Sequence, residues 1–170
     1  MEISKTYENF PTWVVVLSNL VSITTLVLGI LILTGLHWIA AVSYFVLISV
    51  LEYRLLSNHC TSCYYWDKTC GFGKGKISSW LFKRRYSSEF CDKNITWIDM
   101  IPDMLVSFAP TIAGIVLIII KFDFVILSAV VLMLILSTAG NAAIRRNYAC
   151  KYCRQRELGC PAEKLFSKTK

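Results

Sequence analysis

Four apolar stretches, each long enough to cross a lipid bilayer, constrain what this chain of 170 residues can fold into. They occupy residues 12–35, 38–56, 100–120 and 123–140. A spanning helix needs about 20 mostly apolar residues, because each residue advances about 1.5 Å through about 30 Å of hydrocarbon. Only 17% of the residues are charged, against about 25% in soluble domains. The sequence therefore predicts an all-α integral membrane protein, a bundle of four transmembrane helices.

The distribution of Lys and Arg predicts how these helices are oriented. Eight of the eighteen cations lie between or beside the second and third stretches, and eight more follow residue 144. The short turns at 35–37 and 121–123 contain only Lys121. Because loops rich in Lys and Arg stay cytoplasmic, we expect both termini and the central loop on the cytoplasmic side. The net charge of +7 then favours anionic lipid headgroups as partners, and nucleic acid is not favoured.

Two cysteine segments with identical spacing follow the second and fourth stretches. Residues 60–70, the first cysteine segment, and residues 150–160, the second cysteine segment, both read C-x2-C-x6-C. A proline opens the hairpin before each one, and the distance from proline to first cysteine is 49 residues in one half and 48 in the other. These matches indicate a tandem duplication, with a first repeat at 1–90 and a second repeat, including a C-terminal tail, at 91–170. Each repeat contains two spans, so we expect parallel helical-hairpin repeats with both segments on the cytoplasmic side.

Metal binding is the chemistry that this spacing favours. The thiolates of a C-x2-C pair can converge on one ion, and a third cysteine can return to it. The predicted metal ligands are Cys60, Cys63, Cys70, Cys150, Cys153 and Cys160. Three sulfurs leave a tetrahedral ion one ligand short. If each segment binds its own zinc, Cys91 and His59 are the remaining candidates, since eight ligands complete two tetrahedral ions.

The two segments together offer a second arrangement. Their spacing resembles the two-zinc, six-cysteine cluster of fungal transcription factors, in which C-x2-C-x6-C occurs twice. The resemblance covers only the two eleven-residue segments, and it implies a shared cluster with bridging thiolates. The linker departs from that family, because 79 residues and two spans separate Cys70 from Cys150.

Two further kinds of chemistry remain open at this point. Three cysteines can hold a [4Fe–4S] cluster whose fourth position is not filled by the protein, which would make the chain an electron-transfer subunit. Quinone-linked disulfide-forming enzymes are also four-helix membrane bundles with C-x2-C pairs. A thiol–disulfide or quinone oxidoreductase ranks third, because stable disulfides are rare in the cytoplasm.

Other polar and aromatic residues near the cytoplasmic ends of the spans are also candidates. Three carboxylates form a predicted polar patch near the cysteines, or are boundary residues solvated at the interface: Glu52, Asp99 and Asp103. An aromatic and basic run has the composition of a segment in the headgroup region: Trp80, Phe82, Lys83, Arg84 and Arg85.

The function favoured by the sequence is a binding role rather than catalysis by the chain alone. No nucleotide fingerprint, H-E-x-x-H pair or Ser-His-Asp constellation is present. We expect a polytopic membrane scaffold or adaptor subunit in which zinc organises the cytoplasmic face. Its partner would be a cytoplasmic protein or a second copy of the chain.

Overall fold

The computed structural model describes residues 6–86, 88–91, 96–161 and 163. Within these ranges the chain is all-helical, and its one strand-like feature is a parallel bridge between Tyr7 and Cys153. Two 3-10 turns, Cys60–Ser62 and Cys150–Tyr152, and two π turns, Leu136–Gly140 and Arg145–Ala149, accompany the α-helices. The α-helices are α1 (Thr12–Leu36), α2 (Trp38–Asn58), α3 (Lys74–Leu81), α4 (Ser88–Cys91), α5 (Trp97–Ile120), α6 (Phe124–Ile135), α7 (Asn141–Ile144) and α8 (Arg154–Gly159).

Four helices are long and apolar enough to cross a membrane, which confirms the predicted class. They are Thr12–Leu36, Trp38–Ser62, Ile98–Ile120 and Phe124–Tyr152. The second and fourth extend well beyond the predicted ends at residues 56 and 140, so those two boundaries were placed too early. The fourth helix continues because its two π turns carry the helical backbone past Gly140 and the polar residues that follow. Hydropathy falls there, but the helix does not end.

The chain divides into two compact units, and each combines parts of both predicted repeats. One, here called the cysteine unit, consists of Met1–Asn19, Glu52–Met100 and Ile144–Lys170. The other, the helical unit, consists of Leu20–Leu51 and Ile101–Ala143. The predicted repeat boundary at residue 90 describes an evolutionary duplication rather than a structural division, and it stays a prediction. The predicted C-terminal tail beyond residue 163 lies outside the described residues.

The helical unit packs through two clusters of buried side chains. In one, Ile32 of α1 meets α6 at Ala129, Val130 and Met133. In the other, α1 meets α2 and α5, with these members: Leu33, Ala41, Tyr44, Ile48, Leu26, Ile30, Ala40, Val106 and Ala113. The remaining faces of these helices expose apolar side chains, including Val27, Ile112 and Ile119. Such exposure suits contact with lipid tails rather than with water.

The cysteine unit has a core of its own, built mainly from aromatic rings. Phe10, Val14 and Tyr65 are buried at its centre. Partly buried side chains from the N-terminal segment and both cysteine segments surround them: Tyr7, Val15, Cys63, Tyr64, Cys70, Tyr152 and Cys153. This aromatic core was not predicted from the sequence. It gives both cysteine segments apolar surroundings that do not depend on a bound ion.

Candidate metal centre

The two C-x2-C pairs adopt the same backbone conformation. Each begins as one 3-10 turn directly after a membrane-spanning helix. The amide of the second cysteine donates to the carbonyl oxygen of the first, at 3.4 Å in the first segment and 3.3 Å in the second. The second cysteine is extended in both cases, with φ −75° and ψ 151° at Cys63 and φ −82° and ψ 117° at Cys153. Identical spacing therefore corresponds to closely similar local geometry.

The two cysteine segments hydrogen-bond to each other reciprocally. The amide of Tyr64 donates to Oε1 of Gln155 at 2.7 Å. The amide of Arg154 donates to the hydroxyl of Tyr65 at 3.0 Å. In both bonds the donor is the backbone amide of the residue directly after one C-x2-C pair. The acceptor is the side chain of the second residue after the other pair. This pattern is that of an isologous contact, in which equivalent surfaces recognise each other.

Tyr65 and Gln155, the two residues that make this contact, are almost fully buried. Their exposed fractions are 2% and 4%. The Tyr65 hydroxyl also donates to the carbonyl oxygen of Tyr7 at 2.6 Å, and Nε2 of Gln155 donates to Sγ of Cys91 at 3.7 Å. Leaving a buried polar group without a partner costs about 1–3 kcal/mol. The pairing therefore depends on both side chains being present.

The N-terminal segment before α1 contacts both cysteine segments. On the first, Phe10 donates its amide to the carbonyl oxygen of Thr69 at 2.8 Å, and the Thr69 amide donates to Oδ1 of Asn9 at 3.0 Å. On the second, the Tyr7 amide donates to the carbonyl oxygen of Tyr152 at 3.0 Å. The rings of Tyr7 and Tyr152 also pack with centroids 5.2 Å apart. The N-terminal segment therefore stabilises the contact between the two cysteine segments by binding to both of them.

Burial and neighbouring thiolates both raise the pKa of the second cysteine of each pair. For Cys63, burial is the larger cause, and the charges of Cys153 and of the other two cysteines in its own segment add to it, giving a pKa of about 12. For Cys153, burial again comes first, followed by the other two cysteines of its segment, giving a pKa of about 11. Within each segment the three thiols are therefore close enough to interact electrostatically, and Cys63 and Cys153 also interact across the two segments.

These thiols do not form a finished coordination shell. Across the described ranges, no three His, Cys, Asp or Glu side chains are grouped so that they could hold a metal ion. All seven cysteines, each of which is described, are free thiols. The predicted ligand set therefore stays a prediction.

Two buried donors in the first segment suit thiolate sulfur. Ser62 Oγ and Trp66 Nε1 are buried and have no hydrogen-bond partner among the described residues. Ser62 lies inside the C-x2-C turn, and its exposed fraction is 1%. Hydrogen bonds to sulfur are a common way for a protein to stabilise metal-bound thiolates. Ser62 and Trp66 thus each leave a buried donor unsatisfied in the first cysteine segment.

An open pocket gives solvent access to the second pair. Its volume is about 300 Å³. Its lining comes from the N-terminal segment, the second segment and the residues after it: Thr6, Lys151, Cys153, Arg156, Glu157 and Glu163. A metal site needs such an entry path, and this pocket reaches one of the predicted ligands.

The two less certain ligand candidates, Cys91 and His59, are placed in different surroundings. Cys91 ends α4, and its thiol donates to the carbonyl oxygen of Leu158 in the second segment at 3.2 Å. The ring of His59 packs edge-on against the ring of Phe90, with centroids 6.4 Å apart. Helix α4 therefore contacts His59, the residue before the first cysteine segment, through Phe90, and it contacts the second cysteine segment through Cys91.

The three carboxylates of the predicted polar patch have separate surroundings. Glu52 forms an ion pair with Lys74 at 2.6 Å. Oδ2 of Asp99 accepts from the amide and the hydroxyl of Thr96 at 2.9 and 2.8 Å, which caps the start of α5. Asp103 is exposed and belongs to the helical unit. A common patch therefore stays a prediction, while Glu52 and Asp99 have evident structural roles.

The predicted headgroup segment, residues 80–85, is attached to the rest of the cysteine unit through one backbone hydrogen bond and one ring contact, while most of its side chains are exposed. The Arg85 amide donates to the carbonyl oxygen of Thr61 at 3.0 Å, and the rings of Phe82 and Tyr53 pack edge-on at 5.5 Å. Trp80 is 87% exposed. The three cations that follow Phe82 are also exposed: Lys83, Arg84 and Arg85. Of these cations, Arg84 also lies over the Trp66 ring at 5.8 Å from its centroid, and contact with lipid headgroups stays a prediction.

Comparison with protein-family models, with curated proteins and with solved structures finds no match for this chain. The site is therefore understood from its own geometry.

The residues that join the two segments were not predicted from the sequence. Tyr65 and Gln155 were not singled out, and neither were Tyr7 and Phe10. One signal was available, because Tyr65 and Gln155 stand at the same offset from their C-x2-C pairs. A comparison of the repeats position by position could have drawn attention to them, although tyrosine and glutamine share no chemistry beyond hydrogen bonding.

Proposed function

We propose that this chain is an integral membrane scaffold in which two paired cysteine segments bind zinc and hold one face of the protein in a fixed shape. The reciprocal hydrogen bonds between Tyr64 and Gln155 and between Arg154 and Tyr65 carry the proposal. They join two segments that are ninety residues apart in the chain. Joining them brings Cys63 of the first segment close enough to Cys153 of the second for their charges to interact.

A tandem duplication accounts for the symmetry of this contact. Each cysteine segment follows a helical hairpin, and each C-x2-C pair forms the same 3-10 turn. Repeats with an even number of spans enter the membrane in the same direction, related by a two-fold axis along the membrane normal. Equivalent segments then emerge on the same side, where an isologous contact can form.

Zinc is the metal best suited to the predicted ligands. It accepts tetrahedral sets of Cys and His, and structural sites with C-x2-C pairs are common. The buried donors Ser62 and Trp66 support thiolate ligands in the first segment. We propose one ion on each segment, with the two sites held side by side. Because the aromatic core already packs the segments, zinc would lock an arrangement that is present without it.

The platform formed in this way would face the cytoplasm. Seventeen of the eighteen Lys and Arg residues belong to the cysteine unit, which favours the cytoplasmic side. Its exposed aromatic and basic segment around Trp80 suits anionic headgroups. A cytoplasmic protein or a second copy of the chain would dock on the zinc-stabilised surface.

Metal analysis of the full-length protein, purified anaerobically in detergent, tests this function. We expect a colourless protein with two zinc ions per chain. Iron with broad visible absorption would contradict the zinc scaffold and support an iron–sulfur electron-transfer subunit. The absence of both metals would contradict both readings and favour thiol–disulfide chemistry.

Substitution of a bridging candidate tests how the ions are arranged. We expect Cys153→Ser to lose one of the two ions. Ser79→Ala is a control that should keep both, since among the described residues the Ser79 hydroxyl bonds Asp67 and the carbonyl oxygen of Lys76. Loss of both ions from Cys153→Ser would contradict side-by-side sites and indicate a shared cluster with bridging thiolates.

A further inference from the structure

Cys91 lies closer to the second cysteine segment than its position in the chain suggests. It precedes that segment by 59 residues, yet its thiol donates to the carbonyl oxygen of Leu158 at 3.2 Å. A Cβ atom added to Gly159 would lie 3.7 Å from Sγ of Cys91. Gly159 directly precedes Cys160, a predicted ligand. The sulfur of Cys91 is thus placed beside Leu158 and Gly159, the two residues that precede Cys160.

Gln155 gives this sulfur a donor of the kind that metal-bound thiolates use. Its Nε2 donates to Sγ of Cys91 at 3.7 Å, within the range of bonds to sulfur. Its Oε1 is held by the Tyr64 amide, so the amide group is fixed in one orientation. An N–H donor held in this way lowers the energy of a thiolate relative to a thiol.

The alternative fourth ligand, His59, lies next to the first cysteine segment. Its ring packs edge-on against Phe90, the residue before Cys91. It also directly precedes Cys60 in the chain, and adjacent residues seldom ligate the same ion. Helix α4 thus directs its sulfur to the second segment and its aromatic ring to His59.

We infer that Cys91 is the fourth ligand of the second segment, completing an all-sulfur zinc site with Cys150, Cys153 and Cys160. This inference rests on the proposed zinc-binding function and specifies one of its two sites. Four neutral thiols and one Zn²⁺ ion give a tetrathiolate complex, and four protons pass to solvent. The hydrogen bond from the Cys91 thiol to Leu158 is lost in this step, and the bond from Gln155 remains.

The consequence is that the two segments are not equivalent. The second obtains four sulfurs from the chain and forms a closed site, as structural zinc sites do. The first contributes three sulfurs. Cys91, the first residue of the second repeat, therefore supplies a ligand that has no matching cysteine in the first repeat.

Zinc content of paired cysteine variants tests the assignment in the full-length protein. We expect Cys91→Ser, Cys160→Ser and Cys70→Ser each to lose one of two ions. The double variant Cys91→Ser/Cys160→Ser should still retain one ion, because both substitutions act on the same site. The double variant Cys91→Ser/Cys70→Ser should retain none. Ser79→Ala is the control, because Ser79 lies outside both cysteine segments, and it should keep both ions.

Three outcomes of this experiment would overturn the assignment. They are two ions retained by Cys91→Ser with unchanged release to a chelator, two ions lost by Cys91→Ser, and one ion retained by Cys91→Ser/Cys70→Ser. A wild-type protein without zinc would instead overturn the proposed function, and the inference with it. Two ions in the wild type together with any of the three outcomes would overturn the inference alone.

A measurement on the wild-type protein covers the case in which a variant does not fold. Cys91 should be protected from alkylation when zinc is loaded and should react at least about tenfold faster after the metal is removed by a chelator. Mass spectrometry of peptides identifies the labelled cysteine. Equal labelling of Cys91 with and without zinc would also overturn the inference.

Discussion

At the scale of single residues, the pairing of the cysteine segments depends on two buried side chains that are not cysteines. Tyr65 receives the Arg154 amide and donates to Tyr7. Gln155 receives the Tyr64 amide. Tyr65 and Gln155 thus have the same role at equivalent positions. Each side chain accepts a hydrogen bond from a backbone amide of the other cysteine segment. The equivalence is one of geometry and not of residue type.

Tyr65→Phe is expected to weaken the pairing, because it removes only the hydroxyl. The Arg154 amide and the Tyr7 carbonyl oxygen lose their partner, at a cost of about 1–3 kcal/mol. Hydrogen exchange across residues 60–70 and 150–160 should speed up in both segments together. Tyr64→Phe is the matched control, because its hydroxyl bonds the Lys68 ammonium, and we expect a loss below about 1 kcal/mol. Equal effects from the two variants would contradict the role given to Tyr65.

The pKa values of Cys63 and Cys153 predict how the metal-free protein responds to pH. Burial raises these values from 9.0 to about 12 and about 11, so folding favours the protonated thiols. Their contribution to stability is full below about pH 9 and is lost as the pH rises toward 11 to 12. At pH 8, alkylation of both thiols should be slow compared with the unfolded chain and should accelerate as the pH rises. Fast alkylation of folded, metal-free protein at pH 8 would contradict this.

At the scale of elements, close helix approach in the helical unit depends on small residues. Gly114 of α5 leaves room for Val130 of α6 and Ile32 of α1, since an added Cβ would collide with the Val130 side chain and lie 3.1 Å from Ile32. Small residues commonly allow such packing between membrane helices. Gly140 differs, because a Cβ there would meet its neighbours only at 3.6 Å or more.

Gly114→Ala and Gly140→Ala should therefore change stability in opposite directions. Overpacking at Gly114 costs about 1–3 kcal/mol, which exceeds the helix-propensity gain of about 1 kcal/mol or less from alanine. At Gly140 only the gain remains. Thermal unfolding in detergent should show a lower midpoint for Gly114→Ala and an equal or higher midpoint for Gly140→Ala. A raised midpoint for Gly114→Ala would contradict the close contact.

At the scale of the whole molecule, the division into units runs across the two predicted repeats. Each repeat gives its helical hairpin to the helical unit and its cysteine segment to the cysteine unit. Neither repeat can complete its core without the other, because buried clusters in both units draw on residues from both halves. We expect neither half to fold when it is expressed alone.

Reporter fusions test the predicted orientation of the chain. Because the cations lie almost entirely outside the two short turns, both termini should be cytoplasmic. A fluorescent protein fused to the C-terminus should fluoresce, and an export-dependent phosphatase fused there should be inactive. The same phosphatase fused directly after Lys121 should be active. An active phosphatase at the C-terminus would show that the orientation is wrong.

Some features could be predicted because they depend on local chemistry. The four spans followed from length and hydropathy, and the starts of all four were close to those observed. The ends of the second and fourth were missed, because a helix can continue through polar residues near a membrane surface while its backbone hydrogen bonds remain satisfied. Cys91 was named as a candidate ligand, but its segment could not be assigned, since spacing does not say which loop returns to which site.

The sequence by itself determined the membrane class, the repeated cysteine spacing and the concentration of positive charge in the loops. Each of these depends on residue type and on neighbours close in the chain. The tertiary structure alone decided that the two cysteine segments pair, that Tyr65, Gln155 and the N-terminal residues join them, and that Cys91 lies beside Leu158 and Gly159. These are contacts between residues far apart in the chain, and they are set by which hydrogen bonds and apolar surfaces can be satisfied at once.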